Sequence, residues 1–116
     1  MPHYPVLQPD GHQWAVFSTI VDAFTMFDAT LNEALDELEN WHRLNREEQA
    51  AHLKRIMAGE APDYPHWKTW NEAAALTMFF HPAHDDVRGY ITERTPPEQM
   101  QIIDALVEKY EREDAD

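Results

Sequence analysis

The chain has 116 residues, the length of a single domain, and a chain of this size buries roughly two-thirds of the surface that it exposes when unfolded. It contains no cysteine, which excludes disulfide bonds, thiolate zinc sites and cysteine nucleophiles together. Its 22 Asp and Glu residues outnumber 9 Lys and Arg, and the formal net charge of -13 disfavours binding to nucleic-acid phosphates and to anionic membranes.

The N-terminal residues carry neither the basic start nor the apolar run of a secretory signal. No apolar segment approaches the roughly 18 residues of a helix that spans a membrane. Together with the lack of cysteine, these features predict a cytoplasmic protein without a membrane partner.

Residues 3–18 have the pattern of a β-hairpin. Residues 8–11 form a strong turn signal, because Pro9 fixes one backbone dihedral angle and Gly11 accepts a left-handed one. The residues that follow, 13–17, are rich in the aromatic and branched side chains that favour strands. Since an isolated two-stranded hairpin is marginally stable in water, we expect it to pack against helices.

Two predicted helices follow the hairpin. Ser18 is the predicted N-cap of a helix over residues 19–27, whose apolar side chains recur at helical spacing. Thr30 and Glu33 have the spacing of a capping box and predict a second helix, which extends to about residue 44. As a DNA-binding helix-turn-helix this pair would present acids to the phosphates, so direct nucleic acid binding is not expected.

Two more helices are predicted in the middle of the chain. One begins with the capping-box spacing of Asn45 and Glu48 and ends before Gly59. After a proline-containing loop at residues 60–65, the next covers residues 66–80, and its second half is apolar on almost every side. Such a helix is usually buried on several sides.

A single glycine decides the predicted secondary structure of the segment after this helix. Gly89 costs about 1 kcal/mol relative to alanine inside a helix, which argues against one continuous helix. We therefore predict a short helix over residues 83–87 and an extended segment near Tyr90, which would form a short third strand.

The clearest helix start in the chain lies at residues 95–98. Thr95 and Glu98 have capping-box spacing, and proline occupies the first turn. The predicted helix continues to about residue 111, and the acidic residues 112–116 are expected to form a frayed tail.

These elements predict an α+β fold that is predominantly α. One domain, residues 1–116, would contain an N-terminal β-hairpin packed on about five helices, with the helical body at 19–111. The four tryptophans are interpreted as core residues, with exposure of Trp67 or Trp70 as a partner anchor left as the alternative. The residues predicted to define the core are Phe17, Val21, Phe24, Leu35, Leu38, Leu53, Ile56, Trp70, Phe79, Ile103, Leu106 and Val107.

The distribution of charge gives the leading functional hypothesis. The first Lys or Arg of the chain is Arg43, and seven acids precede it. We expect a non-enzymatic acidic interaction protein, a small regulator or inhibitor that presents a carboxylate-rich face to a basic protein surface. One version is DNA mimicry, with carboxylates in the positions of phosphates, and the plain alternative is that the acids only maintain solubility. The predicted partner-binding residues are Asp22, Asp28, Glu33, Asp36, Glu37 and Glu39.

The alternative hypothesis is a metal-binding helical protein or metal-dependent enzyme, although no cofactor is predicted. Glu39 and His42 have the Glu-x-x-His spacing of di-iron bundles, but no second such pair is present to complete the site. Burial of excess aromatic surface in a homo-oligomer is a third alternative. The candidate ligands of the metal alternative are His42, His52, His81, His84, Asp85 and Asp86.

Nucleophilic and phosphate-transfer catalysis lack their usual residues. The only serine, Ser18, is the predicted helix cap. The three glycines of the chain are too widely separated to form a loop that cradles a phosphate. Residues 81–86 are the densest cluster of acid- and base-capable side chains, but no partner for them can be located, so no catalytic residue is predicted.

Overall fold

The structure, a computed structural model, describes residues 3–41, 45–60, 68–82 and 85–115. In these ranges a three-stranded antiparallel sheet precedes five helices, which confirms an α+β fold that is predominantly helical. The strands are β1 (His3–Leu7), β2 (Trp14–Ser18) and β3 (Ala23–Ala29). The helices are α1 (Leu31–Trp41), α2 (Arg46–Met57), α3 (Trp70–Phe80), α4 (Asp85–Arg94) and α5 (Pro97–Ala115).

The predicted hairpin is confirmed. β1 and β2 are antiparallel, with Tyr4 opposite Phe17. In the turn, Gly11 has a φ of 82°, which glycine adopts without a steric penalty. The Asp10 carboxylate accepts the backbone N–H of His12 at 2.9 Å, so the turn is closed by its own polar side chain.

The prediction of a helix over residues 19–27 is wrong. Residues 19–22 form a turn and the chain returns as β3, which pairs with the free edge of β2 in the order β1-β2-β3. Asp22 has a φ of 52°, which interrupts a right-handed helix. Ser18 is a buried residue of β2 rather than an N-cap, although its Oγ accepts the N–H of Ile20 at 3.2 Å. Without the first helix, the helix-turn-helix arrangement is also absent.

Helices cover both faces of the sheet. Side chains alternate along β2, so Trp14 packs on one face with Leu35 of α1, and Phe17 packs on the other with Trp70 and Ile103. The described elements therefore form three layers, with α1 and α2 on one side and α3 to α5 on the other. All five residues of β2 are buried, because this central strand is covered on both faces.

Most of the predicted core residues are buried or half-buried. Val21 is the exception: it lies in the β2–β3 turn and is 50% exposed. The buried ones are Phe17, Leu35, Leu38, Leu53, Ile56, Trp70 and Ile103, and the half-buried ones are Phe24, Phe79, Leu106 and Val107.

The capping signals locate the starts of α1 and α2 correctly. The Thr30 hydroxyl accepts the Glu33 N–H at 3.1 Å, and the Glu33 carboxylate accepts the Thr30 N–H at 3.0 Å. The Asn45 side chain accepts the Glu48 N–H at 3.2 Å and caps α2. These helix starts are encoded within four residues of sequence.

The start of α3 differs from the predicted one. Thr69 caps this helix by accepting the Glu72 N–H at 3.3 Å, so α3 begins at Trp70 rather than at residue 66. Residues 61–67, which include most of the predicted loop and Trp67, lie outside the described residues. Trp70 is 5% exposed, which confirms its place in the core.

The predicted strand near Tyr90 is wrong. Residues 85–94 form the single helix α4, and Gly89 lies within it on the exposed side. Ile91 of the same helix is 0% exposed, and its burial offsets the cost of one glycine. α5 begins at Pro97, close to the predicted start, but Thr95 does not cap it, because its hydroxyl donates to the Ile91 carbonyl and accepts the Trp70 indole N–H. The helix continues to Ala115, so the acidic residues 113 and 114 belong to a helix rather than to a frayed tail.

None of the helices in the described ranges combines the length and the apolar character required to cross a lipid bilayer.

Candidate partner-binding surfaces

Four of the six predicted partner-binding residues lie on α1. The helix buries Ala34, Leu35 and Leu38 against the sheet and α2. With 3.6 residues per turn, the remaining positions point away from this buried stripe. Of the acids outside this stripe, Glu33, Asp36 and Glu39 are exposed, and Glu37 is half-buried.

Arg46, at the start of α2, contacts two of these acids. Its Nη1 lies 2.7 Å from Oδ1 of Asp36 and 3.2 Å from Oε2 of Glu39. The hydrogen bond that Arg46 donates to Asp36 is the main reason that the pKa of Arg46 is raised. Because all three side chains are more than a third exposed, water screens these ion pairs and they contribute little to stability.

The same contacts place the first turn of α2 beside α1. Glu47 and Glu48 of that turn are exposed, and the sequence hypothesis missed them because it considered only the residues before Arg43. The signal that could have found them is their position in the first turn of a capped helix. We define the acidic helix surface as Glu33, Asp36, Glu37, Glu39, Glu47 and Glu48, together with Arg46.

Asp22 and Asp28 do not belong to this surface. Asp22 lies in the β2–β3 turn. Asp28 forms a two-pronged ion pair with Arg94 of α4, in which Nε lies 2.7 Å from Oδ1 and Nη2 contacts Oδ2. The hydrogen bond from Arg94 is the largest cause that lowers the pKa of Asp28, with a further contribution from the amide of Gln8 at 2.9 Å. Asp28 therefore joins β3 to α4 and to the hairpin turn.

Aromatic rings hold the other side of the Arg94 guanidinium. Its central carbon lies 5.3 Å from the ring centre of Phe27 and 5.1 Å from that of Tyr90, within the range of cation–π attraction. Nη1 donates to the Tyr90 carbonyl at 2.8 Å. Asp28 and Arg94 therefore make these contacts within the fold, with each other and with neighbouring side chains.

The candidate ligands of the metal alternative are not brought together. His42, His84 and the side chain of Asp85 lie outside the described residues. His52 is on α2, on the opposite side of the sheet from His81, whose Nε2 donates to the Val21 carbonyl at 2.7 Å. Within the described ranges, no group of three or more His, Asp or Glu residues is arranged to hold a metal ion. Asp86 is exposed on α4.

His81 and Pro82 line a small pocket between α3, α4 and α5. Its volume is about 150 Å³, and Arg88 and Glu111 contribute charged groups to its wall. Sites for small organic ligands usually occupy roughly 300–1,000 Å³. The pocket is therefore smaller than a typical substrate or cofactor site.

A larger depression, which the sequence hypothesis missed, lies between α3 and α5. We call it the α3–α5 groove; it has a volume of about 310 Å³ and is lined by Leu76, Phe79, Phe80, Tyr110, Glu113 and Asp114. Phe80 is 50% exposed there. The apolar residues of the groove recur at helical spacing, which predicts that they are buried. Only the packing of α5 shows which of these side chains remain accessible.

Comparison with known proteins adds no assignment to these surfaces. No protein-family model, no curated protein and no solved structure matches the chain.

Proposed function

We propose that the protein is a non-enzymatic interaction protein of the cytoplasm, a small regulator or inhibitor that binds a basic partner through the acidic helix surface. The observation that carries the proposal is that Glu33, Asp36 and Glu39 are exposed on one side of α1, with the half-buried Glu37 on the same helix, next to the acidic first turn of α2. As defined from the described residues, the acidic helix surface contains six carboxylates and one guanidinium. Such a surface attracts a positively charged protein at long range and orients it before contact.

Arg46 does not cancel the attraction. Its ion pairs with Asp36 and Glu39 are exposed, and exposed pairs exchange partners at small cost. A Lys or Arg of the partner can bind the same carboxylates while Arg46 keeps one of them. We expect Arg46 to order the two acids in the free protein rather than to block them.

DNA mimicry is a specific version of this proposal. From Glu33 to Glu39 the axis of α1 rises by about 9 Å, so the mean spacing of its four carboxylates along the helix is about 3 Å. One strand of duplex DNA carries a phosphate every 3.4 Å or so. A DNA-binding protein is therefore a suitable partner, and duplex DNA should compete for it.

The test compares three forms of the protein as bait in native lysate treated with nuclease. The first is the unchanged protein, and the second carries Glu33→Gln, Asp36→Asn and Glu39→Gln; Gln at position 33 preserves the capping box. The matched control carries Asp86→Asn, Glu93→Gln and Glu108→Gln, three exposed acids on α4 and α5. Both variants lose three negative charges, so only the place of the change differs.

The expected result is a basic protein that the unchanged bait and the control retain at low salt and that the α1 variant loses. Retention should fall in a salt gradient, because screening weakens contacts between exposed charges. If every captured protein is held equally by the α1 variant and by the control, the acidic helix surface has no binding role and the proposal is wrong.

A further inference from the structure

The α3–α5 groove lies between two helices that run in the same direction. At their N-terminal ends, the Trp70 indole N–H donates to the Thr95 hydroxyl, just before α5, at 2.9 Å. Further along, the rings of Phe79 and Tyr110 lie 5.9 Å apart in an edge contact. The groove therefore opens at the C-terminal ends of α3 and α5, on the opposite side of the sheet from the acidic helix surface.

Apolar side chains remain accessible around this end of the molecule. Phe80 is 50% exposed, and its ring contacts Phe79 edge-on at 4.9 Å, which fixes its orientation. The next residue, His81, is bonded to the Val21 carbonyl, which brings the β2–β3 turn to the same end. In that turn, Ile20 is 69% and Val21 is 50% exposed. Accessible apolar groups concentrated in this way mark a contact surface for another molecule.

The rim of the groove is acidic. Glu113 and Asp114 line it from the last turns of α5, where the helix dipole is also negative. Burial is the first cause that raises the pKa of Tyr110, and the negative charges of Glu72 and Glu113 raise it further. The carboxylates that line the groove itself, Glu113 and Asp114, both belong to α5.

We propose that the α3–α5 groove binds an amphipathic helical segment of a partner protein. Apolar side chains of this segment pack against Phe80, Leu76 and Tyr110, and its Lys or Arg side chains pair with Glu113 and Asp114. A helix places apolar residues at i, i+3, i+4 and i+7 on one face and leaves its cations beside them, which matches an apolar floor with an acidic rim. This site is separate from the acidic helix surface, so the inference goes beyond the proposed function.

Other occupants match the groove less well. A second copy of this chain would bring a molecule of charge -13 to an acidic rim, and an anionic membrane would be repelled in the same way. Small-molecule sites usually bury roughly 70–90% of their ligand, whereas a groove with a half-exposed Phe80 leaves one side open to water.

The test uses labelled peptides of about 18 residues and fluorescence anisotropy. The first peptide has Leu at i, i+3, i+4 and i+7 and Lys elsewhere, the second has the same composition in scrambled order, and the third replaces each Lys by Glu. We expect the first to bind about tenfold more tightly than the scrambled one, because only it presents a continuous apolar face. The acidic peptide should not bind.

Two pairs of variants locate the peptide. Phe80→Asp should weaken binding of the first peptide about tenfold, since it places a charge in the apolar contact. Ile102→Asp is the matched control, because Ile102 is 52% exposed but lies outside the groove. Glu113→Gln with Asp114→Asn should weaken binding about threefold at low salt. The equal charge change of Asp86→Asn with Glu93→Gln should leave it unchanged.

Several results would overturn the inference: equal affinity for the ordered and scrambled peptides, equal effects of the Phe80 and Ile102 substitutions, or self-association by light scattering that Phe80→Asp abolishes. The α1 variant that tests the acidic helix surface should bind the first peptide normally. Failure of one proposal is therefore distinguishable from failure of the other.

Discussion

At the scale of single residues, Asp28 illustrates how a carboxylate selected as a binding residue is used inside the fold. Its backbone has a φ of 58°, which Asp and Asn tolerate better than most residues. Its backbone N–H donates to Oε1 of Gln8 at 2.6 Å, and the Gln8 amide donates back to the carboxylate. With Arg94 donating to both carboxylate oxygens, Asp28 connects three parts of the chain that are far apart in sequence.

Asp28→Asn should lower the free energy of unfolding by about 1 kcal/mol at pH 7, because the Arg94 pair loses its negative partner. The value is small because the Asp28 side chain is 38% exposed, and solvent screens the pair. Asn keeps the tolerance for positive φ, so the change isolates the charge. Urea unfolding measures it, with Asp36→Asn, in the exposed pair with Arg46, as a control that should have little effect.

The pH dependence of this difference follows from the lowered pKa of Asp28. A carboxylate whose pKa is lower in the folded state stabilises the fold above its ordinary value of 3.8. That stabilisation disappears as the pH falls through the pKa of the folded state. The difference between native protein and Asp28→Asn should therefore be constant above about pH 5 and shrink below pH 4. A difference that grows as the pH falls would contradict the assignment.

At the scale of elements, the β2–β3 turn decides between a strand and a helix for residues 19–27. Asp22, with its φ of 52°, should accept glycine without loss, whereas Asp22→Val should cost about 1–2 kcal/mol, because a branched side chain clashes in the left-handed region. Inside the helix that the sequence suggested, the order would be reversed, since valine is a better helix former than glycine. Urea unfolding of the two variants distinguishes these structures by the sign of their difference.

The elements that the sequence predicts correctly are those whose signals are local. The Pro9–Gly11 turn and the capping residues Thr30 and Asn45 each act within four positions of the chain. β3 and α4 were missed because distant packing decides them: β3 completes the open edge of β2, and Ile91 is drawn into the core despite Gly89. Local propensity is a weak guide where such tertiary contacts exist.

The same distinction holds for the functional residues. Helical periodicity alone is enough to place Glu33, Asp36 and Glu39 on one side of α1. Nothing near Asp28 in sequence reveals Arg94, which is 66 residues away. The α3–α5 groove could not be predicted from the sequence either, because its walls come from two helices whose relative position depends on the whole core.

At the scale of the whole molecule, the three layers place the two proposed binding surfaces back to back. α1 and α2 carry the acidic helix surface on one side of the sheet, and α3 and α5 carry the groove on the other. Because the sheet is buried between them, neither surface has to be disturbed for the other to act. A partner with one basic domain and one amphipathic segment could engage both surfaces, and a linked pair binds more tightly than either alone.

The net charge of the molecule predicts how association with a basic partner depends on pH. The seven histidines, if all protonated, would raise the formal charge from -13 to -6. Lowering the pH from roughly 7.5 to 5.5 moves the formal charge of the molecule from the first of these limits toward the second. Association measured at low salt with the basic protein that the unchanged bait retains should therefore weaken as the pH falls, since the attraction between the two charges decreases. The decrease should be smaller near 0.5 M salt, where a Debye length of about 4–5 Å already screens exposed charges. An affinity that stays constant across this pH range at low salt would show that net charge does not drive the association with the basic partner.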